Sequence, residues 1–252
     1  MSSPTFARGT LAASSLTPYV YEPLPAGKNI RILELEAGSW NSQISFKLST
    51  IDMANKESEG SYEAISYSWG GPERVVQARC NGCSIMLTGN LAEALRQTRF
   101  PGSSRLLWAD GICINQEDLQ ERASQVKIMA LVYQNAKSAI VSLGFDSGEA
   151  EEGFGVLNSL SDLCHRQCIH SGGMENVPNV SSDDLHYYAK FAWSACKFIL
   201  QKPWFSRVWI VQEVGLAKQV EVLCGRYTIP WRNIVQACLW LTWKGRLLEQ
   251  KY

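Results

Sequence analysis

The chain has no surplus of charge, with 24 Lys and Arg set against 24 Asp and Glu. A surface that tracks phosphates needs clustered cations left uncancelled by acids, so nucleic acid has no general case as a partner. Long apolar runs are also lacking. The opening segment, MSSPTFARGTLAASSLTPYVYEP, is rich in Ser, Thr and Pro and has no continuous apolar core. It reads as neither a secretory signal nor a membrane span, which removes the membrane as well. Neither the GxGxxG nor the GxxxxGK[ST] pattern occurs, so no ready-made phosphate loop is present. The 3 histidines, His165, His170 and His186, all fall in one late segment, which leaves a Cys/His nucleophile pair unsupported. No internal repeat is visible.

What is present is ample core material: 46% apolar residues and 9 tryptophans. The 8 cysteines are scattered, and Cys113, Cys196, Cys224 and Cys238 lie inside apolar runs. That usage suits reduced, packed thiols and a cytoplasmic location. Cys80-x-x-Cys83, with Cys164, His165, Cys168 and His170, offers zinc-type donors. Cys80 and Cys83 also flank Asn81-Gly82, where each fits an ordinary hairpin position, so no metal site is expected.

The order of elements points to an α/β fold. Residues 30–53 alternate apolar and polar around a Gly-Ser-Trp-Asn break, as a hairpin with one buried face requires. A short apolar strand follows at Tyr62 to Ser68. A second hairpin covers Val75 to Leu87 around Asn81-Gly82, a pair that tolerates positive φ. Asn90 is the expected N-cap of the next helix and Asp118 that of a longer one, with Leu119, Val126, Met129, Tyr133 and Ala136 along one stripe. Arg105 to Asp110 and Ser138 to Gly144 read as further buried strands. Alternation of strand and helix predicts a mostly parallel sheet flanked by helices. Residues 146–203 read as a helical insertion that could serve as a lid, with an aromatic helix around His186 to Leu200. A helix from Phe205 to Ala217, a strand at Val220 to Cys224 and a helix from Trp231 to Gln250 complete the chain, and Trp231, Trp240 and Trp243 are expected to dock. Residues 1–28 are expected to form a loosely ordered arm and 29–252 a single domain, with core motifs at 62–217.

Two strand ends concentrate the chemistry-bearing residues. YEAISYSWGG, Tyr62 to Gly71, and LLWADGICINQ, Leu106 to Gln116, each break from an apolar strand into polar residues and glycine. In open α/β sheets that edge is where ligands bind. With ERASQVKIMALVYQNAKSAIVSLG and WFSRVWIVQEVGLA, Trp204 to Ala217, these motifs resemble, in the same order, the heterokaryon incompatibility (HET) domain of filamentous fungi. Such domains look like remote relatives of TIR domains, through the opening strand and the spacing Trp209-x-x-x-Glu213. The resemblance implies a TIR-like or flavodoxin-like fold and a cell-death role in fungal non-self recognition. It further implies NAD as substrate, cleaved at the nicotinamide–ribose bond by Glu213, with no cofactor required. Self-association is implied too, along with a regulatory or receptor protein as a possible partner.

Each residue also has a plainer reading. Spacing of four places Trp209 and Glu213 on one helical face, with the indole anchoring a turn whose carboxylate faces a cleft. Equally, Glu213 can simply pair with Arg207 or Lys218. Ser66, Tyr67, Ser68, Trp69, Gly70 and Gly71 leave the first strand where backbone N–H groups can approach phosphate and an aromatic ring can stack on a base. The glycines can also merely turn the chain before Pro72. Asp110 and Asn115 suit ribose hydroxyls or turn hydrogen bonds alike. Arg207 reaches a phosphate only from the helix rim. The competing function is a non-catalytic signalling domain that recruits partners, and burial of Glu213 in a cleft is the feature that separates the two.

Overall fold

The computed structural model describes residues 16–184, 188 and 190–246. Nine strands form one sheet: β1 (Asn29–Leu35), β2 (Ser45–Asp52), β3 (Glu63–Tyr67), β4 (Arg74–Cys80), β5 (Cys83–Thr88), β6 (Arg105–Trp108), β7 (Ala139–Ser142), β8 (Val220–Cys224) and β9 (Tyr227–Pro230), in the order β5-β4-β2-β1-β6-β3-β7-β8-β9. At its centre β6, β3, β7 and β8 run parallel. Numbered among themselves these four follow the order 2-1-3-4, the start of the flavodoxin-type arrangement, and direction reverses beside β3. The expectation of a mostly parallel sheet needs correcting, because four of its eight neighbour pairings are antiparallel. Both predicted hairpins belong to this same sheet, joined to it through β1 against β6.

Local chemistry explains these elements. The β4–β5 turn is Asn81-Gly82 with φ of 50° and 80°, the two positive angles a two-residue hairpin loop demands. β1 is buried along nearly its whole length, including Arg31, because it has a neighbour on each side. Among the described residues seven helices accompany the sheet: α1 (Gly89–Thr98), α2 (Asp110–Cys113), α3 (Leu119–Asn135), α4 (Ala150–Ser171), α5 (Trp193–Leu200), α6 (Ile210–Gly215) and α7 (Trp231–Lys244). Asp118 caps α3 as expected, accepting from Gln120 N and Glu121 N. Thr88, not Asn90, caps α1; the Asn90 side chain instead donates to Ser68 O at 2.9 Å. Leu119 and Val126 of the expected α3 stripe are exposed, while Met129 and Tyr133 are buried.

The arm before β1 is held more firmly than expected. Tyr19 N donates to Ser84 O at 2.7 Å, Ser84 N to Thr17 O at 2.8 Å, and the Tyr21 hydroxyl to Ile112 O at 2.9 Å. Arg31, 3% exposed, bonds Glu22 O and Cys113 O and forms a two-pronged ion pair with Glu121. One guanidinium therefore ties the arm, β1, α2 and α3 together. Residues 1–15 of the predicted arm lie outside the described residues.

The described residues of the segment 146–203 are largely helical, and among them Pro203 alone lines the cleft at the strand ends. α4 packs on α5, α7 and β9, building a second apolar cluster with Phe154, Leu157, Leu160, Ile199 and Trp240. Trp231 stacks on Phe205, whereas Trp243 is exposed and does not dock. His186 and residues 247–250 of the predicted last helix lie outside the described residues.

Two glycines of α4 give a test with opposite signs. A Cβ on buried Gly153 would sit 2.5 Å from Ala195 O in α5, whereas one on exposed Gly155 would meet nothing within 4 Å. Gly153→Ala should cost about 1–3 kcal/mol by overpacking. Gly155→Ala should add roughly 0.5–1 kcal/mol through lower backbone entropy in the unfolded chain and better helix propensity. Chemical denaturation of both variants reads the two signs directly.

Candidate active site

The carboxyl ends of β3 and β6 open into a cleft of ≈490 Å³, lined by Ser68, Trp69, Gly70, Asp110, Val126, Met129, Pro203, Arg207, Trp209 and Glu213. It lies beside β3, where the parallel strand order reverses, the place at which open α/β sheets hold ligands. Ser66 and Tyr67 leave β3 on opposite faces, as strand alternation requires.

Ser66 anchors the carboxylate. Its hydroxyl, 1% exposed, accepts from Trp204 Nε1 at 2.6 Å and donates to Glu213 Oε2 in a short hydrogen bond. The indole donor fixes which way the serine proton points. Glu213 is 2% exposed, and its carboxylate also takes both prongs of Arg207, Nη2 to Oε1 at 2.8 Å and Nη1 to Oε2 at 3.1 Å. A buried carboxylate stripped of water needs this many donors, and removing one partner of such a pair typically costs about 3–5 kcal/mol when burial is complete. Partial exposure of Arg207 reduces that figure here. Glu213 is therefore paired with Arg207, as one reading of the sequence allowed, but in a buried setting where its replacement is costly.

The turn carrying Glu213 departs from the single helix expected over 205–217. Pro203 opens a 3-10 turn through Ser206, the chain extends at Arg207, and α6 begins only after Trp209, whose carbonyl accepts from Gln212 N and Glu213 N. This break turns the Arg207 side chain back onto Glu213. It also reverses the roles expected of the tryptophans: Trp209 is 48% exposed on the cleft wall, and the buried anchoring indole is Trp204 at 1%. Sequence reasoning missed Trp204, Val126, Met129 and Pro203. The Pro-Trp pair ahead of the motif was the one available sign of a separate turn.

The opposite wall is the loop after β3. Trp69 Nε1 donates to Asp110 Oδ2 at 2.8 Å, and Asp110 Oδ1 accepts from Gly111 N at 2.7 Å. Gly70 has φ of 70°, and a Cβ there would lie 2.7 Å from Asn90 Nδ2, so glycine is needed for both conformation and space. Among the described residues Ser68 Oγ is buried without a hydrogen-bond partner, an open valence on the cleft lining. Tyr67 lies below the floor, its hydroxyl 2.5 Å from where a Cβ of Gly111 would stand. Four candidates do not line the cleft: Ser66 and Tyr67 are buried beneath it, and Gly71 and Asn115 fall away from it. Gly71 is exposed beyond it, and Asn115 turns the chain into α3 by accepting from Glu117 N at 3.2 Å.

Burial pushes the Asp110 carboxyl above its usual 3.8, and the nearby Glu213 charge adds to the rise. The hydrogen bonds from Trp69, Gly111 and Tyr67 work in the opposite direction. For a carboxyl raised on folding, the native state holds the proton longer than the unfolded chain. Its stabilising effect is complete below 3.8 and is lost as pH rises through the higher folded value. Asp110→Asn, which cannot ionise, should therefore gain in melting temperature relative to the wild type as pH is raised across that window. Paired thermal melts at stepped pH measure it, and a constant difference would contradict the assignment.

Comparison with known proteins agrees with this placement of motifs. The family model described as Heterokaryon incompatibility protein (HET) matches residues 62–213, from the residue before β3 to Glu213 itself. The chain is 28% identical over 209 residues to Heterokaryon incompatibility protein 6, OR allele, of Neurospora crassa, covering 70% of this chain and 30% of that protein. It thus spans about a third of the length of this relative. No solved structure matches the chain. With the family's match enclosing both strand ends, the Trp204 turn and the recessed carboxylate, the chain belongs to the heterokaryon incompatibility (HET) family.

Proposed function

We propose that this chain is a cell-death effector of fungal non-self recognition that hydrolyses NAD at the bond between nicotinamide and ribose. The observation that carries the reading is Glu213, recessed in a ≈490 Å³ cleft at the carboxyl ends of β3 and β6. That volume lies within the usual range for small-molecule pockets. The relative's name supports the biological role, and the resemblance to TIR domains supports the chemistry.

The chemistry needs little machinery. The C1′–N bond breaks with its electron pair passing to nicotinamide, which leaves as a neutral molecule, so no general acid is required, unlike at an ordinary glycoside. Water adds at C1′ and gives up a proton; NAD and water yield ADP-ribose, nicotinamide and one proton. Positive charge grows on the ribose as the bond loosens. A fixed carboxylate in a site of low permittivity stabilises that charge without having to reorganise. Held by Ser66 and Trp204, Glu213 meets this requirement. Trp69 and Trp209 offer ring faces to a base, and Asp110 and the open valence of Ser68 offer partners for hydroxyl or amide groups.

A second reading, an adaptor that signals by association, is favoured by one observation. Val208, Trp209 and Val211 are 85%, 48% and 72% exposed in consecutive turns beside the cleft, a pattern more usual of an interface than of a bare surface. NAD, rather than another dinucleotide, and cytoplasmic action belong to the proposal also.

Glu213→Gln keeps the shape and one acceptor for Arg207 while removing the charge. It should lower nicotinamide release by about 10²–10³-fold with far-ultraviolet dichroism unchanged. Full activity in that variant, measured with concentrated protein and NAD, would remove the catalytic assignment. Wild-type protein inert towards NAD at all concentrations would favour the adaptor.

A further inference from the structure

In the structure the carboxylate assigned to catalysis is covered. Arg207 binds both of its oxygens, and Arg207 is the outer member of the pair, its side chain 21% exposed against 3% for Glu213. A cation growing on a bound ribose would find that carboxylate already neutralised and would face a second positive charge beside it. Either Glu213 does not serve the reaction or Arg207 leaves it when substrate arrives.

The surroundings favour departure. Among the described residues, the hydrogen bonds of the Arg207 guanidinium go to Glu213 alone. Its backbone lies in the extended link between the 3-10 turn and α6, next to the exposed Val208 and Trp209, and its side chain reaches the cleft surface rather than the core. Glu213 would not be left bare, because the Ser66 hydroxyl, directed by Trp204, stays on Oε2. What could draw the guanidinium away is an anion that matches its planar fork as well as a carboxylate does and carries more charge; a diphosphate meets both conditions. Arg207 and Gly70 line the same cleft, so a diphosphate lying along it would come within reach of the side chain.

We propose that Arg207 is a substrate-sensing cation, paired with Glu213 until substrate binds and then transferring to the diphosphate of a bound dinucleotide, so that the carboxylate is unmasked only when that diphosphate is in place. This rests on the reading of the site as one that cleaves NAD. It makes Arg207 a specificity-determining residue whose effect appears in kcat as well as KM, because binding of a remote group is used to free the reacting one. It also protects the cell's other nicotinamide ribosides from the same carboxylate.

The experiment compares nicotinamide release from NAD and from nicotinamide riboside, each at saturation, with and without inorganic pyrophosphate. Wild-type protein should turn over NAD at least about 100-fold faster than the riboside, and pyrophosphate supplied separately should raise riboside cleavage by about tenfold. Arg207→Met, checked by thermal melting, should show no response to pyrophosphate and should cleave the two substrates at rates within about threefold of each other. Pyrophosphate that leaves wild-type riboside cleavage unchanged or inhibits it would overturn the proposal, even if the variant fails to fold. So would an unaltered ratio in a folded variant. Should no form of the protein release nicotinamide from either substrate, the NAD reading fails separately. The gate is then judged by carbodiimide labelling of Glu213 in the wild type, read by mass spectrometry. Pyrophosphate should increase that labelling several-fold, and unchanged labelling would refute the gate.

Discussion

A carboxylate at 2% exposure cannot stand without donors, and meeting that demand organises this end of the molecule. Ser66 comes from β3 and Arg207 from the link before α6, so two stretches far apart in the chain converge on one acceptor, while Trp204, from the turn before that link, donates to Ser66 behind it. Because the serine proton is aimed by an indole N–H, the arrangement has a definite direction as well as a set of distances. The pair of charges also explains why a chain with six residues in α6 holds them in place at all. So short a helix has too few internal hydrogen bonds to persist alone, and Glu213 pins it to the sheet.

The rest of the fold keeps the two strand ends fixed. β3 lies between β6 and β7 in the parallel centre, and β6 is held on its other side by β1. β1 is in turn bound by Arg31 to the arm, to α2 and to α3 through Glu121, which also accepts from Asn115 N at 2.7 Å. The hairpin region is thus more than decoration. It forms the flank that steadies β6 and, through α2, the Asp110 floor of the cleft.

Much of the architecture was legible because it depends on local rules. The alternation over 30–53, the Asn81-Gly82 turn and the apolar runs of β3, β6 and β7 each state their own conformation. Joining hairpins and parallel strands into one mixed sheet was not legible, since the β1–β6 pairing is a long-range contact that neither strand's pattern specifies. At the site, sequence order brought forward Glu213, Asp110, Trp69 and Gly70, which do line one cleft. The helical spacing rule then misassigned the indoles. Trp204 and Trp209 both flank Glu213 in sequence, and only the break at Arg207 decides which is buried. Asn115 satisfied the pattern of a strand-end ligand, but an Asx turn uses the same residue for local backbone reasons.

That break carries a wider consequence. Had residues 205–217 formed one continuous helix, Arg207 and Glu213 at six apart would point to different faces, and the carboxylate would have to find its cation elsewhere or remain solvated. Interrupting the helix lets an arginine fold back over the acid, which permits burial without a fixed internal partner from the core. A cation supplied from an exposed link is exchangeable in a way that a core cation such as Arg31, with its four acceptors, is not. These two acid–arginine pairs therefore differ in kind. The Arg31–Glu121 pair is closed on every side and serves the fold, while the Arg207–Glu213 pair is open on the side facing the cleft, where a ligand's own charge can compete for either member.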